Sequence, residues 1–172
     1  MHEVLTDHGI IVRVQTWDTE VAVPAGLEGI LAKQWPRQGG VVVEGNALGT
    51  VICVGPTEWL VLGTPSQPAS FVEEIEAAVD GTSFRTTDAS QALLRLHIEG
   101  KAPVSVLGKG CSLDLDLAAF PVDRAIRTRL AGIPAVLWRT GAGAFDCIVA
   151  KSYGDYFRAW LEDATLEFRG AA

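Results

Sequence analysis

Residues 50–80, TVICVGPTEWLVLGTPSQPASFVEEIEAAVD, decide how this chain is read. Thr50–Val54 and Trp59–Leu62 are apolar, largely β-branched or aromatic runs of strand length, and Gly55-Pro56-Thr57-Glu58 between them is a turn. Ser70-Phe71-Val72-Glu73 then fits a capping box, in which the hydroxyl and the carboxylate each satisfy a free backbone N–H. Phe71, Val72, Ile75, Ala78 and Val79 share one helical face, and Gly81 lies just past the end. The same grammar returns at 134–164, PAVLWRTGAGAFDCIVAKSYGDYFRAWLEDA. Ala135–Trp138 is a strand, Gly141-Ala142-Gly143 a loop and Phe145–Ala150 a strand. Ser152-Tyr153-Gly154-Asp155 opens a helix with Tyr156, Phe157, Trp160 and Leu161 inward. The period is too long for a solenoid repeat. The spacing predicts an α+β fold made of duplicated β–α units.

Outward from these two stretches, Ile10–Thr16 is β-branched and reads as a strand. Residues 17–49 carry no periodicity; Pro24, Gly26, Pro36, Gly39 and Gly40 punctuate them. Leu94, Leu96 and Ile98 alternate with Leu93, Arg95 and His97 as in a half-buried strand. Pro103 suits the first turn of a short helix closed by Gly108 or Gly110. Ile126, Thr128 and Leu130 alternate with Arg127 and Arg129, and Gly132 allows a tight turn. The 172 residues suit a single domain over 1–172, with residues 1–8 and 165–172 as loose tails.

Composition narrows the function classes. With 14 basic and 21 acidic side chains the formal charge is −7, which argues against nucleic acid, whose phosphates need a basic face. The charge is uneven: residues 1–86 carry four basic and eleven acidic side chains, residues 87–172 ten of each. Arg124, Arg127, Arg129 and Arg139 fall close together in the second half and read either as a solvated strand face or as a docking surface for an acidic partner or ligand, with Arg127 and Arg129 the interface candidates. Cys53, Cys111 and Cys147 are odd in number and widely spaced, so they read as free thiols in a reducing compartment. The first residues show no signal-peptide pattern and no apolar run is long enough to span a bilayer; the expected location is the cytoplasm.

Catalytic groupings are sparse. His2 and His8 sit in the expected loose N-terminus, and His97, beside Arg95, reads as a solvated surface histidine. Asp114 and Asp116 read as solvated turn carboxylates. No Gly-x-Ser-x-Gly elbow, phosphate loop or dinucleotide fingerprint occurs. No catalytic, cofactor-binding or metal residue is therefore assigned in this chain. Trp17 and Trp35 fall outside the apolar patterns that absorb Trp59, Trp138 and Trp160. Trp35 and the nearby Arg37 lie in an aperiodic stretch, so both are expected at a subunit contact and not in the core.

Several stretches from residue 50 onward resemble one family when taken in order. They are Gly55-Pro56-Thr57-Glu58-Trp59-Leu60-Val61-Leu62-Gly63, Thr87-Asp88-Ala89-Ser90, Leu94-Arg95-Leu96, Val106 to Leu115, Phe120-Pro121, Arg127-Thr128-Arg129-Leu130, and Trp160 to Ala164. Together these are similar to the gamma subunit of heterotetrameric sarcosine oxidase. The resemblance implies a fold like the folate-binding domain of the glycine-cleavage aminomethyltransferase, two swapped β–α units. It implies a non-catalytic subunit of a flavoenzyme that oxidatively demethylates sarcosine, or a related N-methyl amine, to glycine with one-carbon transfer to tetrahydrofolate. The partners it implies are alpha, beta and delta subunits, with FAD, FMN, NAD and tetrahydrofolate in the two larger subunits and zinc in the smallest. The alternative is a free-standing folate-binding domain or one-carbon transferase, in which Asp88 would meet a folate nitrogen; Asp88 also reads as a turn aspartate capping its own backbone. Lys109-Gly110-Cys111 matches the opening of a signature in folate-dependent proteins of iron–sulfur maintenance, but it continues Ser112-Leu113-Asp114 and reads as a helix cap.

Overall fold

A computed structural model describes residues 3–7, 9–31, 35–44, 49–64, 70–100 and 102–168. Over these residues the chain divides into two compact units, one of residues 8–91 and one of residues 1–7 with 92–172.

In the first unit, β2 (Ile11–Thr16), β3 (Val42–Glu44), β4 (Thr50–Gly55), β5 (Glu58–Leu62) and β6 (Phe84–Asp88) form an antiparallel sheet in the order β3-β4-β5-β2-β6. Helices α1 (Ala25–Leu31) and α2 (Ser70–Val79) bring their apolar sides to this sheet. Val12, Val14, Val51, Cys53, Trp59 and Val61 meet Leu27, Phe71, Ile75 and Val79 in one core. These are alternate positions along each strand, as a sheet with one face on helices requires. The two helices pack closely at Gly26, where an added Cβ would lie 3.1 Å from Ala78.

In the second unit, β7 (Leu93–Glu99), β8 (Ala125–Leu130), β9 (Ile133–Gly141) and β10 (Ala144–Ala150) are joined by β1 (Glu3–Asp7) in the order β1-β7-β10-β9-β8. Helices α3 (Pro103–Gly108) and α4 (Gly154–Thr165) cover one face, with Phe157 and Leu161 on Leu94, Leu96, Cys147 and Val149. Pro103 opens α3 as the sequence predicts. Ala131 (φ 52°) and Gly132 (φ 80°) both lie in the left-handed region, and form the two-residue turn that the right-handed twist of β8 and β9 favours.

The duplication is complete in this topology. Strands β2, β3, β4 and β5 occupy the places of β7, β8, β9 and β10, and each sheet ends on a strand beside β2 or β7. That end strand is exchanged. The first half of the chain supplies β1 to the second sheet, and the second half begins with β6 in the first sheet. Residues 3–7 are therefore not the loose tail expected from sequence, because their backbone pairs along β7 from Glu99 to Arg95. At the other end the helical trace runs through Phe168; His2, His8 and residues 169–172 lie outside the described residues.

Two further expectations are corrected. The aperiodic stretch 17–49 holds α1 and β3. Both are short, at seven and three residues, and the helix carries two glycines, so neither shows a period. Helix α4 is not Ser-capped. A 3-10 turn over Lys151–Tyr153 leads into it, and the N-cap Tyr153 makes no side-chain cap bond.

Candidate functional site

A cluster of charged side chains stands on the face of the second sheet turned away from α3 and α4. Leu94, Leu96 and Ile98 of β7 point into the helix-covered core, so Arg95 and His97 point to the other side. On β10, Phe145, Cys147 and Val149 take the core side, which leaves Asp146 and Ile148 on the same side as Arg95 and His97. The register places His97 directly opposite Asp146 and Arg95 opposite Ile148.

Asp146 is 0% exposed. One carboxylate oxygen accepts the Arg95 Nε–H at 2.6 Å and lies 2.6 Å from Nη2 of the same guanidinium. The other oxygen is 2.6 Å from Nδ1 of His97, whose Nε2 is 3.5 Å from Glu99 Oε2. The Arg95 guanidinium also stands 5.4 Å over the Trp138 ring. A carboxylate taken out of water costs several kcal/mol unless its oxygens are satisfied, and here both are engaged by cationic or N–H donors.

A histidine held by a buried carboxylate is half of an acid–base device; catalysis also needs a reacting group within reach of the other ring nitrogen. That nitrogen faces Glu99. Cys147, next along β10, points to the opposite face and is fully buried. Burial first, then the charge of Asp146, raises its thiol well above the usual value and keeps it protonated. The cluster ties β7 to β10, one carboxylate on β10 holding Arg95 and His97 of β7. Among the described residues no three His, Cys, Asp or Glu side chains stand together as a metal site.

The first unit repeats the pair at the equivalent place. Gln15 stands opposite Glu58 as His97 stands opposite Asp146, and Arg13 opposite Leu60 as Arg95 opposite Ile148. Arg13 Nε lies 3.3 Å from Glu58 Oε1. The ion pair is part of the duplicated plan; the histidine and the complete burial of the acid belong to the second unit alone. His97 is consequently not the solvated residue expected, its side chain being 29% exposed and partnered. Sequence reasoning missed Asp146, the one charge in an otherwise apolar strand.

The interface candidates separate. Trp35 is buried, 4% exposed, against the expectation that it lies outside the core. Its ring meets Trp59 edge-on at 5.9 Å, and Trp59 Nε1 donates to the Pro36 carbonyl at 2.6 Å, so an aperiodic loop is tied down over the core through one side chain. Arg37 is exposed and donates through Nη2 to the Val21 carbonyl at 2.5 Å. Trp17 is the exposed indole, at 80%. Arg127 and Arg129 are exposed on β8, as is Arg124 just before it. Arg139 leaves this group: it is 1% exposed, lies 4.5 Å over the Phe145 ring, and donates to the Leu115 and Ala142 carbonyls. Burial lowers its pKa and the Asp116 charge partly restores it.

The remaining motifs have local explanations. Asp88 Oδ1 accepts from the Ser90 backbone N–H and hydroxyl, the turn-capping role. Asp114 and Asp116 accept from the backbone N–H groups of Asp116 and Ala118. Lys109 donates to the Ala164 carbonyl at 2.7 Å and pairs with Glu167 at 2.8 Å, and Gly110 lies under the Trp160 ring. The three cysteines are free and buried.

Comparison with known proteins bears directly on this chain. Residues 18–167 match the sarcosine oxidase, gamma subunit family. A sarcosine oxidase subunit gamma from Arthrobacter sp. is 35% identical over 172 residues, covering 95% of this chain and 83% of its own length. A chain of heterotetrameric sarcosine oxidase from Corynebacterium sp. U-96, solved in complex with pyrrole 2-carboxylate, superposes with a TM-score of 0.89 at 27% identity. That match covers 99% of this chain and 87% of that one. Aminomethyltransferase T of the glycine cleavage system from Bartonella henselae superposes with a TM-score of 0.68 at 10% identity, over 93% of this chain and 45% of that one, which is a likeness of fold.

Proposed function

Because the chain belongs to the sarcosine oxidase gamma subunit family, we propose that it is a non-catalytic subunit of a heterotetrameric, sarcosine-oxidase-like flavoenzyme. In this reading the assembly oxidatively demethylates sarcosine, or a related N-methyl amine, to glycine and passes the one-carbon unit to tetrahydrofolate. The observation that carries the proposal is the match over nearly the whole chain to a chain of a heterotetrameric sarcosine oxidase.

The chemistry of the chain supports this division of labour. Among the described residues the Arg95–His97–Asp146 cluster has its carboxylate fully buried and both oxygens engaged between two strands, an arrangement that suits a structural role. In this reading FAD, FMN, NAD and tetrahydrofolate belong to the two larger partner subunits, and the complex is cytoplasmic. No helix among the described residues is long and apolar enough to cross a membrane. The Asp88 carboxylate, which a folate-binding role would use, is engaged with Ser90.

The purified chain alone, given sarcosine, is expected to form no hydrogen peroxide, and equilibrium dialysis against tetrahydrofolate is expected to show no micromolar binding. Peroxide formation by the isolated chain overturns the non-catalytic role, and tight folate binding favours a one-carbon carrier.

A further inference from the structure

We propose that the outer edge of β8, with Arg127 and Arg129 on its exposed face, docks an acidic extended segment of a partner subunit, which adds to the sheet beside β8. The inference deepens the subunit reading above and rests on it.

Three observations converge on this edge. First, β8 closes one end of its sheet, and among the described residues no strand pairs with its outer side. Such a strand is a ready template for a further strand, whose backbone bonds give affinity while side chains give selection. Second, Arg127 and Arg129 are two residues apart, so they project on one face, and both are exposed. Arg124 is exposed immediately before the strand. Arg129 spends one donor on the Gly132 carbonyl, which fixes the guanidinium at the hairpin end and leaves the rest of its fork to reach outward.

Third, the duplicated fold does not require arginine there. Strand β3 holds the place of β8, and its Val42 stands opposite Ile52 as Arg127 stands opposite Val136. Val42 is buried and Arg127 is exposed. One fold position thus carries an apolar contact in the first unit and a cation in the second. Guanidinium forks select carboxylates, often two bonds at a time, so the complementary segment is acidic. This basic edge stands out in a chain whose formal charge is −7.

Arginine on an edge strand also guards against unwanted strand pairing. Charge reversal distinguishes the two roles, because a glutamate guards an edge as well as an arginine does. The tagged chain is co-expressed with the other subunits of its source complex and captured, with Arg127→Glu/Arg129→Glu and Arg127→Gln/Arg129→Gln alongside. The expected result is capture of partners by the wild type, weakened by about tenfold or more on charge reversal and by less on neutralisation. The variants' melting temperatures should stay close to that of the wild type. Raised salt should weaken the wild-type assembly and leave what remains of the reversed one little changed. Full assembly by the reversed chain overturns the proposal, and so does loss of a self-associated form with heterologous assembly unchanged. If the reversed chain fails to fold, the neutral variant and the salt series decide by the same criteria. Failure of the wild type to retain any partner overturns the subunit reading, and this proposal with it.

Discussion

Two arginines at equivalent places in the duplicated fold should differ sharply in what they contribute. Arg95 neutralises an acid that is fully buried, and its own side chain is 22% exposed. Arg13 pairs with Glu58, and its side chain is 38% exposed. Removing one partner of a buried pair leaves an uncompensated charge, so Arg95→Ala should cost about 3 kcal/mol in urea unfolding at neutral pH. Arg13→Ala should cost less, about 1 kcal/mol, because Arg13 keeps 38% and Glu58 16% of its side chain in water, which screens the pair more than that of Arg95 with the fully buried Asp146. Equal costs would show that burial does not set the strength of these pairs. The tryptophans make a second contrast. Trp35→Ala empties a core position and should destabilise the chain by about 3–5 kcal/mol. Trp17→Ala should change stability by no more than about 0.5 kcal/mol, since 80% of that side chain is already in water. A melting temperature that falls with Trp17 and not with Trp35 would reverse the assignment of core and surface.

At the scale of elements, one glycine joins α3, the β8–β9 turn and α4. A Cβ on Gly110 would lie 2.5 Å from Trp160 Cζ2 and 2.9 Å from the backbone nitrogen of Ala131, which itself donates to the Gly110 carbonyl. The indole is stacked on Phe157 and the turn is backbone, so neither yields cheaply. Gly110→Ala should destabilise by about 2 kcal/mol, measured by thermal or urea unfolding, whereas Gly108→Ala, with open space around it, should not show this packing loss. The strand–turn–strand–helix grammar at 50–80 and 134–164 was legible because each stretch carries its period and its punctuation within about thirty residues. Strand β1 was not, since five residues that pair with a strand ninety residues away carry no local sign of it. The cluster at Asp146 was half legible. Arg95 and His97 alternate visibly with the core leucines, but the carboxylate between them depends on the register of β7 on β10, which local pattern does not encode. The order of short motifs, read as a resemblance, reached the family where no single constellation of residues did.

Across the whole molecule, the plan is a duplicated α+β unit with exchanged end strands. The likeness to an aminomethyltransferase concerns fold, and fold alone does not bring that enzyme's chemistry. What the chain offers outward is surface: an exposed indole at Trp17, an exposed Arg37, and the arginines of β8. These are residue types enriched at protein interfaces. The central claim, that this is an assembling subunit and not a free-standing enzyme, is tested most directly by purifying the tagged chain from its source cell under native conditions. Mass spectrometry and flavin absorbance are then read on the same sample. The account predicts three further subunits in fixed ratio, with flavin in the complex. Recovery of the chain alone, with neither partners nor flavin and with tetrahydrofolate bound, would contradict it.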